Sequence, residues 1–462
     1  MDEARWATEE FGRADLGDDR RTNRLVAMGA RVAAKPAGNI TDVFAISAER
    51  EGAFRFVEND AVDGAEVTRA ATRAAASRAR DEPYVFVPVD GTSLNLPDLD
   101  GSRRMGRVGT KKTNAQGLQV MTGIGISPDG TPLGILGQVY WTRDRTKKRK
   151  KKGSHDQRSV EDKETQHWLA VMNQAHDATQ AEAPGTRLWF QEDRGADAWP
   201  VLRTVEESRH WITVRASWDR RLVTSDPQQR YLWETMETAA LRGAYTVEVA
   251  PSADGKRSAR TALLVVRSAE VTLDLIAKPS ERRLPTRICA VWVREDSSTP
   301  EGEEPIEWML LTNYPVLDFK AAELVIHGYT QRWRIEQFHR AWKSGACQVE
   351  DTQLGDVDHV IIWAAILASV AMRILRMTYF ARQRPDEPAE VELTRNEIDA
   401  AILVSETRNF KRGAKLTIAQ AVLLIAQCGG YVGRSSGGPA GAIVIARGLA
   451  SIRSVAKVLE KM

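Results

Sequence analysis

Cysteine is scarce in this 462-residue chain: Cys289, Cys347 and Cys428 stand far apart and form no CxxC pair. No disulfide framework or cysteine zinc site follows from that spacing, and a reducing cytoplasm is the natural setting. Histidine is also sparse, seven in all without paired spacing, so a His-rich metal centre is not expected. No apolar run reaches the roughly 20 residues that a membrane-spanning helix needs. The longest, residues 360–372, is followed by Arg373 and Arg376 and reads as a buried helix, so no membrane partner is expected. The opening MDEARW is acidic at once and shows no secretory signal.

Net charge is low too, +3 with a pI near 8.7, which by itself does not mark a nucleic-acid binder. The distribution says more, because the cations are clustered. Hydrophobic residues at 42% and charged residues at 27% fit a globular protein, and the length calls for two or three domains.

Residues 1–75 read as a separate small helical domain, cationic along 11–32 with Arg13, Arg20, Arg21, Arg24 and Arg31. A second helix around 47–57 carries Arg50 and Arg55. Strand signals start near Pro83: 84–89 ends at Asp90, and 118–126 and 133–141 flank the turn Ser127-Pro128-Asp129-Gly130. Six cations follow at 147–152, then a helix over 160–179 and a strand at 187–191 that leads into Glu192-Asp193-Arg194. A helix and the strand 211–215 complete this part. Residues 217–316 read as an inserted β-rich module, with runs at 245–249, 262–266, 271–276, 288–293 and 308–312. Beyond 318 the pattern is helical, with one long helix over 318–345 and another over 356–382, then a Pro-rich break and a helical segment 383–462. The expected class is α/β, a mixed sheet flanked by helices over 76–382.

Cleaving a phosphodiester with a hydroxyl nucleophile requires activating one oxygen and stabilising another, which two divalent metals held by carboxylates can do. Magnesium takes oxygen ligands, so Asp and Glu are the side chains to seek. Asp90 and Asp193 both follow strands, where sites gather in mixed sheets; a turn or a helix N-cap is the other role open to each. On a helical wheel Tyr329, Arg332, Glu336 and Lys343 fall within about 60° of one another, beside an apolar flank of Ile335, Phe338 and Trp342. Such a strip suits a metal-binding carboxylate with phosphate-gripping cations, and it also suits an exposed Arg332/Glu336 pair.

The segment from Tyr329 to Lys343 carries Y-x2-R-x3-E-x6-K, and it resembles the signature of bacterial DDE transposases. The similarity is to the cut-and-paste insertion-sequence group typified by the Tn-five transposase. Other blocks resemble that group in order: Leu16-Gly17-Asp18-Asp19-Arg20-Arg21-Thr22, Glu51-Gly52-Ala53-Phe54-Arg55-Phe56, Val89-Asp90-Gly91-Thr92-Ser93-Leu94, Asp193-Arg194-Gly195-Ala196-Asp197 and Ile306-Glu307-Trp308-Met309-Leu310-Leu311-Thr312. The resemblance implies an RNase H-like core with Asp90, Asp193 and Glu336 as a catalytic triad binding two Mg²⁺, with Mn²⁺ able to substitute. It implies phosphate contacts from Tyr329, Arg332 and Lys343, and a flipped base stacked on Trp308 during a hairpin step; a packed strand residue is the other reading of Trp308. It further implies double-stranded DNA partners (transposon ends and target), a homodimer joined through 383–462, and a bacterial cytoplasmic, nucleoid-associated location.

Arg20, Arg21, Arg24 and Arg55 are the candidate end readers, against surface pairing of Arg20 and Arg21 with Asp18 and Asp19. The run 147–152 has no counterpart in the group, and either DNA phosphates or solvent would suit it. A catalytically silent DNA-binding regulator or inhibitor of transposition, and a structure-selective nuclease, are the competing functions.

Overall fold

The computed structural model describes residues 3–109, 115–143, 163–226, 228, 230–252, 255, 257–278, 280–296, 299–433 and 438–461. Five helices lead: α1 (Glu3–Phe11), α2 (Asp19–Ala34), α3 (Ile40–Val43), α4 (Ser47–Val57) and α5 (Gly64–Arg78). The cationic stretch 11–32 thus spans the end of α1, a turn and most of α2. The chain turns between α1 and α2, with Gly17 at a positive φ of 69°, and Asp18 then caps α2 by accepting the Arg20 N–H.

The central part contains β1 (Tyr84–Asn95), β2 (Gly106–Arg107), β3 (Gln116–Ile126), β4 (Pro132–Trp141), α6 (Thr165–Glu182), β5 (Arg187–Glu192), α7 (Trp199–Glu207) and β6 (Trp211–Arg215). Next come α8 (Leu232–Glu237), β7 (Ala240–Val249), β8 (Arg260–Ala277), β9 (Arg282–Glu295) and β10 (Glu307–Thr312). The helices α9 (Phe319–Thr330), α10 (Trp333–Lys343), α11 (Val357–Gln383), α12 (Arg395–Val404), α13 (Ile418–Cys428) and α14 (Ala442–Glu460) close the chain.

The strands make one mixed sheet in the order β2-β3-β1-β5-β6-β10-β9-β8-β7, with β4 on β3. β1, β5 and β6 run parallel, while the β3–β4 hairpin is antiparallel to its neighbours. Three expectations change here. β1 does not stop at Asp90, because 90–95 pair onward with β3 from Asp90↔Thr122 to Asn95↔Gly117. The runs 262–266 and 271–276 are one strand, β8, since the polar residues between them continue the ladder with β9 without a turn. The β-rich stretch is not a module apart: β10 pairs with β6, Leu311 opposite Val214, so β7–β10 extend the central sheet.

The two sheet faces bury different helices. On one, Phe86 and Trp189 share a core with Phe338 and Trp342 of α10 and with Trp363 of α11. Trp6, Phe11 and Leu25 belong to that same core, so the helices before residue 78 do not form a core of their own. On the other face Val171, Phe190, Val201 and Trp292 pack together. The wheel's apolar flank holds, as Ile335, Phe338 and Trp342 are each 0% exposed. Each such burial removes a large apolar side chain from water, stabilising by about 1.5–3 kcal/mol. α11 is 27 residues long and apolar enough by composition to cross a membrane, yet 89% of its most apolar window is buried within the protein. α12, α13 and α14 pack around Met377 and Phe380 near the end of α11.

The single helix expected over 318–345 is two. Arg332 N–H bonds to Tyr329 O, Arg334 N–H to Gln331 O and Ile335 N–H to Arg332 O, all at i,i−3 spacing. This tight turn separates α9 from α10, and Arg332 within it still faces both Tyr329 and Glu336. Gly328 permits the seat of α9 on the sheet: a Cβ there would lie 2.6 Å from the Phe86 ring.

Candidate active site and DNA-binding surface

Side chains alternate along a strand, so Phe86, Asp90 and Thr92 share one face of β1. Phe86 lies against Gly328 of α9, which places Asp90 on the α9–α10 side. Trp189 and Gln191 mark the same side of β5, and Asp193 continues their alternation. In the parallel register Val89 stands opposite Glu192, so Asp90 and Asp193 follow side by side where β5 ends. Asp193 also caps the short 3-10 turn Arg194–Ala196, accepting the Gly195 N–H at 2.7 Å. Asp90 Oδ1 accepts the N–H of Gly91 at 2.8 Å.

Glu336 enters from the first turn of α10, and Arg332 joins it to Asp90. The Arg332 guanidinium lies 3.2 Å from Asp90 Oδ2 and 2.8 Å from Glu336 Oε1. Burial pushes the Asp90 carboxyl up to about 6; Asp193 and Glu336 push it the same way, and Arg332 and the Gly91 N–H pull it back. Asp90 therefore feels both other carboxylates, while one arginine bridges it to Glu336. Among the described residues no three acidic, imidazole or thiol groups converge as a ready metal cage, because the guanidinium stands between two of the carboxylates.

The other expected contacts lie around this cluster. Tyr329 is buried, its ring edge-on to the half-buried Trp308 at 5.5 Å. Trp308 thus packs, and also keeps part of its surface open. Lys343 ends α10 with Nζ 3.5 Å from both Thr92 Oγ1 and Glu350 Oε1.

Several site residues were not singled out from sequence. Arg215, at the end of β6, donates to Glu307 O at 2.8 Å and faces the Tyr329 phenol. Glu192 is fully buried beside Asp193, and the Trp168 indole faces its carboxyl. Burial, followed by the charges of Asp193 and Asp90, pushes its carboxyl well above the usual range. Its signal was adjacency to Asp193; Arg215 had only its place at a strand end.

Arg20, Arg24 and Arg55 are exposed, and Arg21 is half-buried. Arg20 and Arg24 are four apart on α2, sharing a face. A Cβ on Gly52 of α4 would lie 3.0 Å from the Arg24 guanidinium, so α2 and α4 present these cations together. Asp18 is engaged in capping, and Arg21 donates to Leu16 O at 2.8 Å. Arg55 pairs with Glu51, a surface contact of small energetic weight. The basic run 147–152 lies outside the described residues.

A family model described as transposase DNA-binding matches residues 3–62, the span of α1 to α4. The match falls on the helices that carry Arg20, Arg21, Arg24 and Arg55, and it supports a transposase with DNA as its partner.

Proposed function

We propose that this chain is a DDE-type cut-and-paste transposase, which cuts DNA at transposon ends and joins them to target DNA. The cluster of Asp90, Asp193 and Glu336 around Arg332 carries this reading. An antiparallel β4–β3 pair beside parallel β1, β5 and β6, with acids on β1 and after β5, supports an RNase H-like core.

The donor set suits Mg²⁺ or Mn²⁺: it is all oxygen, negatively charged and already balanced by a cation. Asp90, Asp193 and Glu336 would hold two such ions, which supply charge stabilisation at the attacking and leaving oxygens. Arg332 would then exchange its carboxylate partners for a DNA phosphate, a contact that its planar fork suits. Lys343 would add a point charge to the same backbone, and Tyr329 would position Arg332 and Arg215 from beneath. Trp308 would receive a base during hairpin formation, when a freed 3′-hydroxyl attacks the opposite strand. Two copies would pair two ends, with the helices after residue 383 as the contact.

One observation favours a second reading, a catalytically silent DNA-binding regulator: Arg332 already neutralises two of the carboxylates. Incubation with a duplex of the element's own terminal repeat and a supercoiled target in Mg²⁺ separates the readings. Joined products mark a transposase, ends released without joining mark a nuclease, and binding alone marks the regulator.

End recognition is separable from cutting. Arg20→Ala with Arg24→Ala is expected to weaken end binding and to lower the slope of log affinity against log salt by roughly one per lost phosphate contact. Fluorescence anisotropy across a salt series measures this; an unchanged slope would remove these two residues from the DNA contact.

A further inference from the structure

The chain has 13 tryptophans, and only Trp218 and Trp333 belong to the exposed class, at 64% and 54%. Leaving an indole in water forfeits its burial energy, and its flat apolar face with one polar N–H is the amphipathic character that places tryptophan at binding surfaces. Trp333 is accounted for by its place after Arg332, whose guanidinium lies 5.5 Å from its ring. Trp218 has no such account in the site described so far.

Its loop is built firmly. After β6, Ala216 N–H bonds to Met309 O, which brings the chain along β10 beside Trp308. Asp197, buried and four residues beyond Asp193, then accepts from Ser217 N at 2.6 Å, Trp218 N at 3.2 Å and Arg220 Nε at 2.9 Å. Ser217 Oγ donates to Arg194 O at 2.9 Å. The half-buried Arg220–Asp197 ion pair and three further hydrogen bonds therefore fasten this loop to the turn that Asp193 caps. Buried networks of this kind rigidify what they hold. Here they hold the main chain at Trp218, whose indole is exposed, in the loop after β6 beside the turn that Asp193 caps.

We propose that Trp218 is a stacking platform for a nucleobase of the DNA next to the cut, approached from the Asp193 side. This rests on the reading that DNA lies across the carboxylates. Stacking suits the position because every base has a π-face, so an indole on a held backbone gives positional hold without sequence demand. The rigid loop lowers the ordering cost that a flexible aromatic would incur.

The test uses the full chain and terminal-repeat duplexes carrying 2-aminopurine singly at positions flanking the cut, in EDTA so that binding is read without cleavage. At one or two positions the wild type is expected to change the probe's fluorescence. Trp218→Ala should abolish that change and weaken affinity for the long duplex by about tenfold or more, with Trp218→Phe restoring most of both. A shorter duplex that stops before the cut should bind wild type and variant alike, which controls for folding. If Trp218→Ala reproduces the wild-type signal and affinity while the wild type cuts DNA, the stacking role is overturned and the transposase reading stands. If the signal depends on Trp218 in a protein that never cuts, the platform stands and the catalytic reading falls. Loss of self-association in Trp218→Ala, with DNA responses unchanged, would assign the indole to a contact between copies and overturn the proposal.

Discussion

Glu336→Gln is expected to abolish DNA nicking while leaving end binding at wild-type strength. The substitution keeps the side chain's size and its place on α10, and removes one oxygen charge from a site whose proposed work is to hold divalent cations. Its partner Arg332 is only 11% exposed and retains Asp90, so no buried charge is stranded. Asp193→Asn should behave alike, because an amide oxygen can still accept the Gly195 N–H that organises its turn. A fall of at least about a thousandfold is the scale seen when a group essential to the transition state is removed. Single-turnover nicking with saturating enzyme measures it, and anisotropy on the same duplex measures binding. Residual nicking within tenfold of wild type for Glu336→Gln would remove this residue from the site.

The second large effect concerns stability. Asp90 has its carboxyl raised from 3.8 to about 6, chiefly by burial and then by Asp193. A raised value means that the folded state takes up the proton more readily than the unfolded chain. The associated stability is fully present below pH 4 and is lost as pH rises through about 6. Ionised Asp90 therefore works against the fold at neutral pH, by up to about 3 kcal/mol. Asp90→Asn is expected to unfold at higher temperature than wild type at pH 8 and at the same temperature near pH 4. Added Mg²⁺ should raise the wild-type midpoint at pH 8 and raise that of Asp90→Asn far less, since ligand binding stabilises only the state that holds it. Thermal scans at the two pH values, with and without the cation, check both statements. A lower midpoint for Asp90→Asn at pH 8 would show that its bond to Arg332 outweighs the repulsion.

The parts of this fold that local chemistry dictates were legible in the sequence. Helical period exposed the Ile335, Phe338 and Trp342 flank because one helix face meets one core. The β3–β4 hairpin was legible because Gly130 supplies the positive φ that its turn requires. What escaped depends on distant partners. β1 runs past Asp90 because β3 offers a ladder there, and nothing within 84–95 says so. The break after Tyr329 lies in a stretch of ordinary helix formers, where tight i,i−3 bonding accompanies the seating of Arg332 between Asp90 and Glu336. The continuity of β7–β10 with the main sheet needs the β6–β10 pairing, about 100 residues apart in sequence. For the site, spacing flagged the acids and the Y-R-E-K strip. Arg215 and Trp218 carry no local mark, since their meaning comes from Tyr329 and Asp197 across the fold.

One cluster of three carboxylates is proposed to perform metal-dependent DNA cutting. Its most direct test is the purified wild-type chain with a labelled terminal-repeat duplex in Mg²⁺, Mn²⁺ or EDTA, resolved on a denaturing gel. Nicks and hairpins that require the divalent cation are the expected result. Tight, salt-sensitive binding with an uncut duplex in both metals would contradict it.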